Sequence, residues 1–217
     1  MVPMSVEEIA KAVDGRLVAG DGPAIEATET VTDSRQAGSG AVFVAIKGER
    51  VDGHDFVDKV ADQGAAAAIV DHEVACTTMP QIVVEDTVAA LGLLAKHNID
   101  RRRQLPGAFD LIGLTGSVGK TTTKDLLSAL LSTLGPTVAP IGSFNNEIGL
   151  PLTALRVNAD TRFFVAEMGA NHIGEIARLT RIAPPNTVIV LRVGVAHLGE
   201  FGSRERIAQA KSEIVQG

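Results

Sequence analysis

Residues 109 to 134 limit the possible folds of this chain more than any other stretch. Phe109, Leu111, Ile112 and Leu114 form an apolar run that reads as a short buried strand. A turn containing Gly116 and Gly119 follows, then Lys120, Thr121 and Thr122. Leu126, Leu127, Leu130, Leu131 and Leu134 then recur at helical spacing. Strand, glycine turn, Lys-Thr and helix, in that order, is the context a phosphate-binding loop needs. Backbone N–H groups of the turn and the helix N-terminus face anionic oxygens. Lys120 would reach the β- and γ-phosphates, and the Thr121 hydroxyl would bind the accompanying Mg²⁺. The common pattern G-x-x-x-x-G-K-[ST] is broken once, because position 114 is leucine and the glycine stands at 116. The bland alternative is a glycine turn that happens to precede a lysine, and the flanking strand and helix weigh against it.

The remaining composition narrows the class. A chain of 217 residues allows one or two domains. At 45% hydrophobic and 21% charged it is an ordinary globular chain, long enough for a real core. The net charge of −6 argues against a nucleic-acid partner. It also means that a bound nucleotide must be held by local donors and a metal. Cys76 is the single cysteine, so no internal disulfide forms, which suits a reducing cytoplasm. The stretch MVPMSVEEIAKAV lacks the apolar core of a signal peptide, and no run reaches membrane-spanning length. Neither internal repeats nor low-complexity tracts are visible.

Ser5 and Glu8 have capping-box spacing at the head of a helix over 5–13. Strands are expected at 16–18, 27–31, 41–46, 65–70 and 81–84, with a helix over 54–63 that ends at Gly64. Asp86 or Thr87 can cap a helix carrying Val88, Leu91, Leu94 and Ala95. That helix runs out in Arg101, Arg102 and Arg103, which read as a solvated end favouring cations. Pro106-Gly107 breaks the chain there, so domains over 1–104 and 105–217 are expected, with the boundary near 100–108. Beyond it, strands near 109–114, 137–139, 162–167 and 187–193 alternate with helices near 120–134, 148–157, 173–183 and 203–216. Such alternation predicts a parallel sheet with helices on both faces.

Ligands of such sheets sit beyond the carboxyl ends of the strands. Thr121, Glu167 and His197 follow three of those ends, so a hydroxyl, a carboxylate and an imidazole converge on one crevice. Oxygen ligands suit Mg²⁺. Two alternatives stay open: Glu167 as a capping acid for the 173–183 helix, and His197 as a hydrogen-bonding loop histidine. Lys211 is odder, because Ile207, Ala208, Ile214 and Val215 surround it at helical spacing. It reads either as a snorkelling lysine or as a partly buried amine with a lowered pKa, available for chemistry.

Six segments in order carry a resemblance. They are VTDSRQAGSGAVFVAIKGERVDGHDFV (31–57), LTGSVGKTTTK (114–124), SFNNEIGLP (143–151), VAEMGANHIGEI (165–176), VGVAHLGEFGS (193–203) and RIAQAKSEI (206–214). Together they resemble the Mur ligases, ATP-dependent amide-forming enzymes of peptidoglycan precursor synthesis, over essentially the whole chain. The form T-G-x-x-G-K-T-T is that family's own variant of the phosphate loop. The resemblance implies a small N-terminal α/β substrate domain followed by a P-loop NTPase-type parallel sheet. It is nearest to the member that joins D-alanyl-D-alanine to UDP-N-acetylmuramoyl-tripeptide through an acyl phosphate. The sibling that adds the third stem-peptide residue carries Thr-Thr-Pro and Ser-Ser-His where SFNNEIGLP and EMGANH stand here.

By the same resemblance, Gly116, Ser117, Gly119, Lys120, Thr121 and Thr122 would hold the ATP phosphates. Thr121 and Glu167 would bind one Mg²⁺, and His197 would help bind a second. Lys211 matches a lysine that becomes carbamylated, which turns a cation on an apolar face into an anionic metal-site group. Lys120, Glu167, His197 and Lys211 are thus the implied catalytic set. Asn145, Asn146, Asn171 and His172 would line the phosphate and substrate side. Ser34, Arg35, Lys47, Gly48, Asp52, Gly53 and His54 would hold the UDP-sugar peptide, although Lys47-Gly48 and Asp52-Gly53 are also good turn pairs. Arg192 departs from the small polar residue that relatives often have before V-G-x-A-H. A cytoplasmic monomer is implied. A third, C-terminal domain is implied too, so this chain is expected to be a fragment, inactive alone. The alternative from another class is a non-catalytic nucleotide-binding module, against which the joint presence of Glu167, His197 and Lys211 argues.

Overall fold

The short apolar runs of the first hundred residues become five strands: β1 (Arg16–Val18), β2 (Glu29–Val31), β3 (Ala41–Val44), β4 (Ala67–Val70) and β5 (Gln81–Val83). The computed structural model describes residues 1–18, 20, 25–75, 78–194 and 198–217. Cys76 and His197 lie outside the described residues. The chain divides into two compact units, Met1–His97 and Asn98–Gly217. The division falls inside a long helix, α3 (Thr87–Gln104), and the expected boundary near 100–108 lies at the far end of that helix. Among the described residues no helix is long and apolar enough to cross a membrane.

In the first unit the strand order is β1-β5-β4-β3-β2, with β1 antiparallel to β5 and the other neighbours parallel. β3 (AVFV) and β4 (AAIV) are buried throughout, as continuous apolar runs in a two-faced sheet must be. On one face Phe43, Ala45, Ala68 and Val70 pack with Val57 and Val60 of α2 (Val57–Asp62). On the other, Val42, Val44, Ala67 and Ile69 are fully buried. Helix α1 (Val6–Ala12) starts at Ser5, whose Oγ accepts the Glu8 amide at 3.2 Å, as the spacing predicts.

The second unit is a four-stranded parallel sheet, ordered β7-β8-β6-β9, from β6 (Asp110–Thr115), β7 (Thr137–Val138), β8 (Phe163–Glu167) and β9 (Thr187–Val190). Helices α4 (Lys120–Ser132), α5 (Gly149–Ala154), α6 (Glu175–Ile182), α7 (Leu198–Phe201) and α8 (Arg204–Ser212) flank it. β6 lies between β8 and β9, so the chain returns first to one side of β6 and later to the other. That reversal opens a crevice beyond the carboxyl ends of the strands. The register sets Leu114 opposite Glu167 and Thr115 opposite Val190.

Two expectations need correcting. The leucine stripe of α4 is wider than its buried face: Leu126, Leu130 and Leu134 are exposed. The sheet-facing side of that helix is instead Lys120, Lys124, Leu127 and Leu131, of which Lys124 alone is fully buried. The arginine run is not simply a solvated end either. Arg102 is buried, because its guanidinium ties the end of α3 to two other segments. Nε donates to the Thr161 carbonyl at 2.8 Å and Nη2 to the Ala108 carbonyl at 3.1 Å, and the group lies 5.2 Å over the Phe109 ring.

Removing that strut leaves the buried Thr161 carbonyl without its donor and frees the part-buried Ala108 carbonyl. Arg102→Ala is expected to destabilise the chain by about 2–4 kcal/mol, read as a lower urea midpoint. Arg102→Lys should recover little of it, because an ammonium cannot reproduce the fork. A loss below about 0.5 kcal/mol, the usual size for a surface change, would show that the guanidinium carries no structural load.

Candidate functional site

β6 delivers its last residue, Thr115, fully buried, into the glycine turn. Gly116 lies so close to the residue just after β9 that a Cβ there would stand 2.6 Å from the Leu191 Cβ, so only glycine fits. Gly119 precedes α4 with φ of 88°, again a glycine conformation. Ser117 is held in place on both its side chain and its backbone. Its Oγ accepts the Gly194 amide at 3.0 Å, and its own amide donates to the Arg192 carbonyl at 3.0 Å. The turn is thereby tied to the segment after β9. Lys120 Nζ donates to the Gly116 carbonyl at 3.0 Å, folded back over the loop it serves. Thr122 is exposed on the first turn of α4.

Glu167 ends β8 and is 1% exposed, a carboxylate in a place that demands partners. Thr121 Oγ1 donates to its Oε2 at 3.1 Å, and Asn145 Nδ2 donates to its Oε1 at 2.7 Å. It does not cap α6, so the capping alternative for this acid is excluded. The Thr121–Glu167 spacing also fits a cation. Two neighbouring ligands of an octahedral Mg²⁺, each at about 2.1 Å, stand roughly 3 Å apart.

Lys211, on α8, is 2% exposed, and its Nζ lies 5.9 Å over the Phe201 ring. That excludes snorkelling, since no part of the side chain reaches water freely. Burial, and then the Lys120 ammonium, push its amine down to about 8, while Glu175 and Glu213 pull the other way. At neutral pH this leaves roughly three hundred times more neutral amine than an ordinary lysine has.

The loop from Glu167 to α6 is pinned along its length. The Gly169 amide donates to the Asn145 carbonyl at 2.9 Å. The Asn171 and His172 amides donate to Glu175 Oε2 at 2.7 and 3.2 Å, and His172 Nδ1 stands 3.1 Å from Glu175 Oε1. Asn146 turns inward to α5, its Oδ1 accepting the Ile148 and Gly149 amides at 3.2 and 2.8 Å. Asn146, Asn171, Glu175 and Arg178 line a cavity of about 230 Å³ beside this loop.

In the first unit the picked-out residues form two turns. Asp33 grips Arg35 in a bidentate pair at 2.7 to 3.1 Å, and the guanidinium pulls the Asp33 carboxyl down to about 2. Ser34 between them is buried. Lys47 and Asp52 bridge across a turn in which the Gly48 amide donates to Val51. A Cβ on Gly53 would meet the Ile46 nitrogen at 2.7 Å. His54 is buried with both ring nitrogens engaged: Nε2 accepts the Asp71 amide at 3.1 Å, so Nδ1 carries the proton and donates to Asp52 at 2.6 Å. Those contacts hold the Asp52 carboxyl below its usual value.

Residues 114–217 match the model of the Mur ligase middle domain, and residues 27–99 that of the Mur ligase family, catalytic domain. The chain belongs to the Mur ligase family. The UDP-N-acetylmuramoyl-tripeptide–D-alanyl-D-alanine ligase of Haemophilus influenzae is 38% identical over 221 residues, covering all of this chain and 47% of its own length. The ligase of the same name from Mycobacterium tuberculosis is 43% identical over 240 residues, covering all of this chain and 46% of its own. Among solved structures, MurF from Acinetobacter baumannii superposes with a TM-score of 0.88 at 41% identity, over 99% of this chain and 46% of that one. MurF from Thermotoga maritima, solved with ADP, gives 0.75 at 40% identity, over 86% of this chain and 42% of that one. This chain spans about half the length of the curated relatives it matches.

Three residues beyond the family motifs' obvious members shape this Mur ligase site. Lys124 is buried, its Nζ donating to the Pro140 and Gly142 carbonyls at 2.9 and 3.1 Å and pairing with Asp125 at 2.7 Å. It anchors the segment that leads to Asn145, and no pattern in the sequence marks it apart from its place in TTTK. Glu175 organises the loop amides. Glu213 is a buried acid just past the end of a helix, where the dipole disfavours one, and that misplacement was the available signal.

Folded Lys211 holds its proton less tightly than the unfolded chain does. Its charge therefore destabilises the fold in full below about pH 8, and the penalty fades as pH rises towards 10.5. In metal-free buffer depleted of CO₂, Lys211→Met should raise Tm by a few degrees at neutral pH. That gain should vanish near pH 10.5. Thermal unfolding across the range checks it, and a gain independent of pH would trace to packing instead.

Proposed function

We propose that this chain supplies the sugar-peptide-binding and ATP-phosphate-binding units of an ADP-forming ligase. The reaction joins D-alanyl-D-alanine to UDP-N-acetylmuramoyl-tripeptide in peptidoglycan precursor synthesis. The observation that carries this reading is the 3.1 Å pairing of Thr121 with Glu167 at the foot of the phosphate loop. Its support is the name borne by relatives 38–43% identical over the whole chain.

In this reading Gly116, Ser117, Gly119, Lys120, Thr121 and Thr122 cradle the ATP phosphates, with backbone amides supplying most of the donors. Lys120 leaves the Gly116 carbonyl for the transferred phosphoryl group. Thr121 and Glu167 hold one Mg²⁺; His197 and a carbamylated Lys211 hold a second. Bound Mg²⁺ neutralises charge as two anions approach. The neutral Lys211 amine adds to CO₂ and loses a proton, which leaves an anionic carbamate where an ammonium would repel the metal. The tripeptide carboxylate displaces ADP from the γ-phosphorus and becomes an acyl phosphate. The D-alanyl-D-alanine amine then attacks that carbonyl and expels phosphate. Asn145, Asn146, Asn171 and His172 line the substrate side. In the first unit Ser34, Arg35, Lys47, Gly48, Asp52, Gly53 and His54 receive the nucleotide sugar: the exposed Arg35 and Lys47 offer charge, while buried Ser34 and His54 shape the turns. Catalysis here is positioning and electrostatics. In this reading the protein works as a cytoplasmic monomer, and its net charge of −6 speaks against a nucleic-acid partner.

ADP release by the full-length protein tests the proposal, with ATP, Mg²⁺ and UDP-N-acetylmuramoyl-tripeptide present and D-alanyl-D-alanine, L-lysine or diaminopimelate offered in turn. Turnover only with D-alanyl-D-alanine is expected. Lys120→Ala and Glu167→Gln should each lower kcat by roughly 10²–10³. Turnover only with a single amino acid on the dipeptide substrate would move the chain to the sibling activity. ATP binding without turnover on any amine would leave a nucleotide-binding module.

A further inference from the structure

Glu213 follows α8 directly and opens a short 3₁₀ turn, two residues after Lys211. It is 5% exposed, and both carboxylate oxygens are committed to another element. Oε1 accepts the Gly174 amide at 2.6 Å, and Oε2 accepts the Ala177 amide at 3.1 Å. Those are the two ends of the first turn of α6, whose N-cap, Gly174, has φ of 95° and no side chain with which to cap. A helix N-terminus normally finds its acceptor within its own cap residue. Here the acceptor comes from 39 positions further along the chain.

The consequence is geometric. The loop between Glu167 and α6 is held at its start by Asn145, which takes the Gly169 amide and also donates to Glu167. Glu175 gathers its middle through the Asn171 and His172 amides. Glu213 fixes its end, and Glu213 shares one helical turn with Lys211. A buried, doubly hydrogen-bonded carboxylate is a stiff link. We propose that Glu213 is a positioning residue that locks the Lys211 helix to the loop behind Glu167, and so sets the separation of those two side chains. This rests on the assignment of Glu167 and Lys211 to one metal-dependent site.

Full-length Glu213→Gln tests it, since the amide keeps one acceptor and turns an NH₂ towards the second backbone N–H. Affinity for Mn²⁺ in the presence of ADP, followed by electron paramagnetic resonance, should fall roughly 10- to 100-fold, the usual effect of losing a ligand's support. Affinity for ADP without metal should stay within about twofold, because residues 116–122 are untouched, and kcat should fall with KM for ATP unchanged. Glu213→Asp keeps the charge but is a methylene short of spanning both amides, so it should show the same pattern; it also serves if the glutamine variant folds poorly. A lower Tm with wild-type Mn²⁺ affinity and kcat would reduce Glu213 to a plain helix cap and overturn the proposal. So would full recovery by aspartate. Absence of turnover in the wild-type protein would count against the proposed ligase activity alone, since the Mn²⁺ measurement still decides this one.

Discussion

The parallel register of β6 on β8 sets everything at this site. By pairing Leu114 with Glu167, it ends both strands at the same level. The chain leaving β6 must then turn over the carboxylate that ends β8. One helical step into α4 brings Thr121 onto that carboxylate at 3.1 Å. A slip of one residue would turn Glu167 to the opposite face of the sheet. The register is secured by what lies along it: Leu111, Leu114, Phe164, Val165 and Ala166 are all fully buried. Ordinary hydrophobic pairing thus brings a hydroxyl and a carboxylate to one spot, and no special loop geometry is needed for that step.

A sheet end so apolar makes each buried charge costly unless it is matched, and the second unit matches its charges in different ways. Arg102 and Lys124 satisfy carbonyls and hold segments in place. Glu213 satisfies amides. Glu167 is matched by side chains that can let go, a threonine hydroxyl and an asparagine amide. Lys211 has its amine over the Phe201 ring, and burial pushes that amine towards neutrality. Groups bonded to the backbone serve the fold. Groups held through exchangeable side chains are the ones able to change partners, and the distinction follows from the partners alone.

Much of this was legible in the sequence, and the failures have physical causes. Strands β3 to β6 and β8 announce themselves as apolar runs between turn residues, because a buried parallel strand has no polar face to hide. The phosphate loop was legible because glycine and lysine at that spacing have few other uses. Lys211 stood out because a cation amid apolar neighbours has to be explained. Arg102 did not, since three successive arginines look alike until tertiary packing chooses one to bury. Leu126, Leu130 and Leu134 misled in the opposite sense: periodicity reports which residues share a face, not whether anything covers it. Lys124 and Glu213 carry their roles through backbone carbonyls and amides of distant segments, and a linear pattern holds no trace of such partners.

The loop's shape, finally, is held by contacts within the protein. Gly116 touches Leu191, Ser117 is bonded twice to the segment after β9, and the Lys120 amine is parked on the Gly116 carbonyl. A loop held this way spends little on ordering when an anion arrives. The two contacts that must break are made by side chains that can turn to a new partner: a lysine bound to its own loop carbonyl and a threonine hydroxyl bound to Glu167. Each exchanges one partner for another of opposite charge or higher charge density. The rigid parts of the site are therefore those that should not change on binding. The movable ones are the two side chains, Lys120 and Thr121, that a triphosphate and its metal would claim.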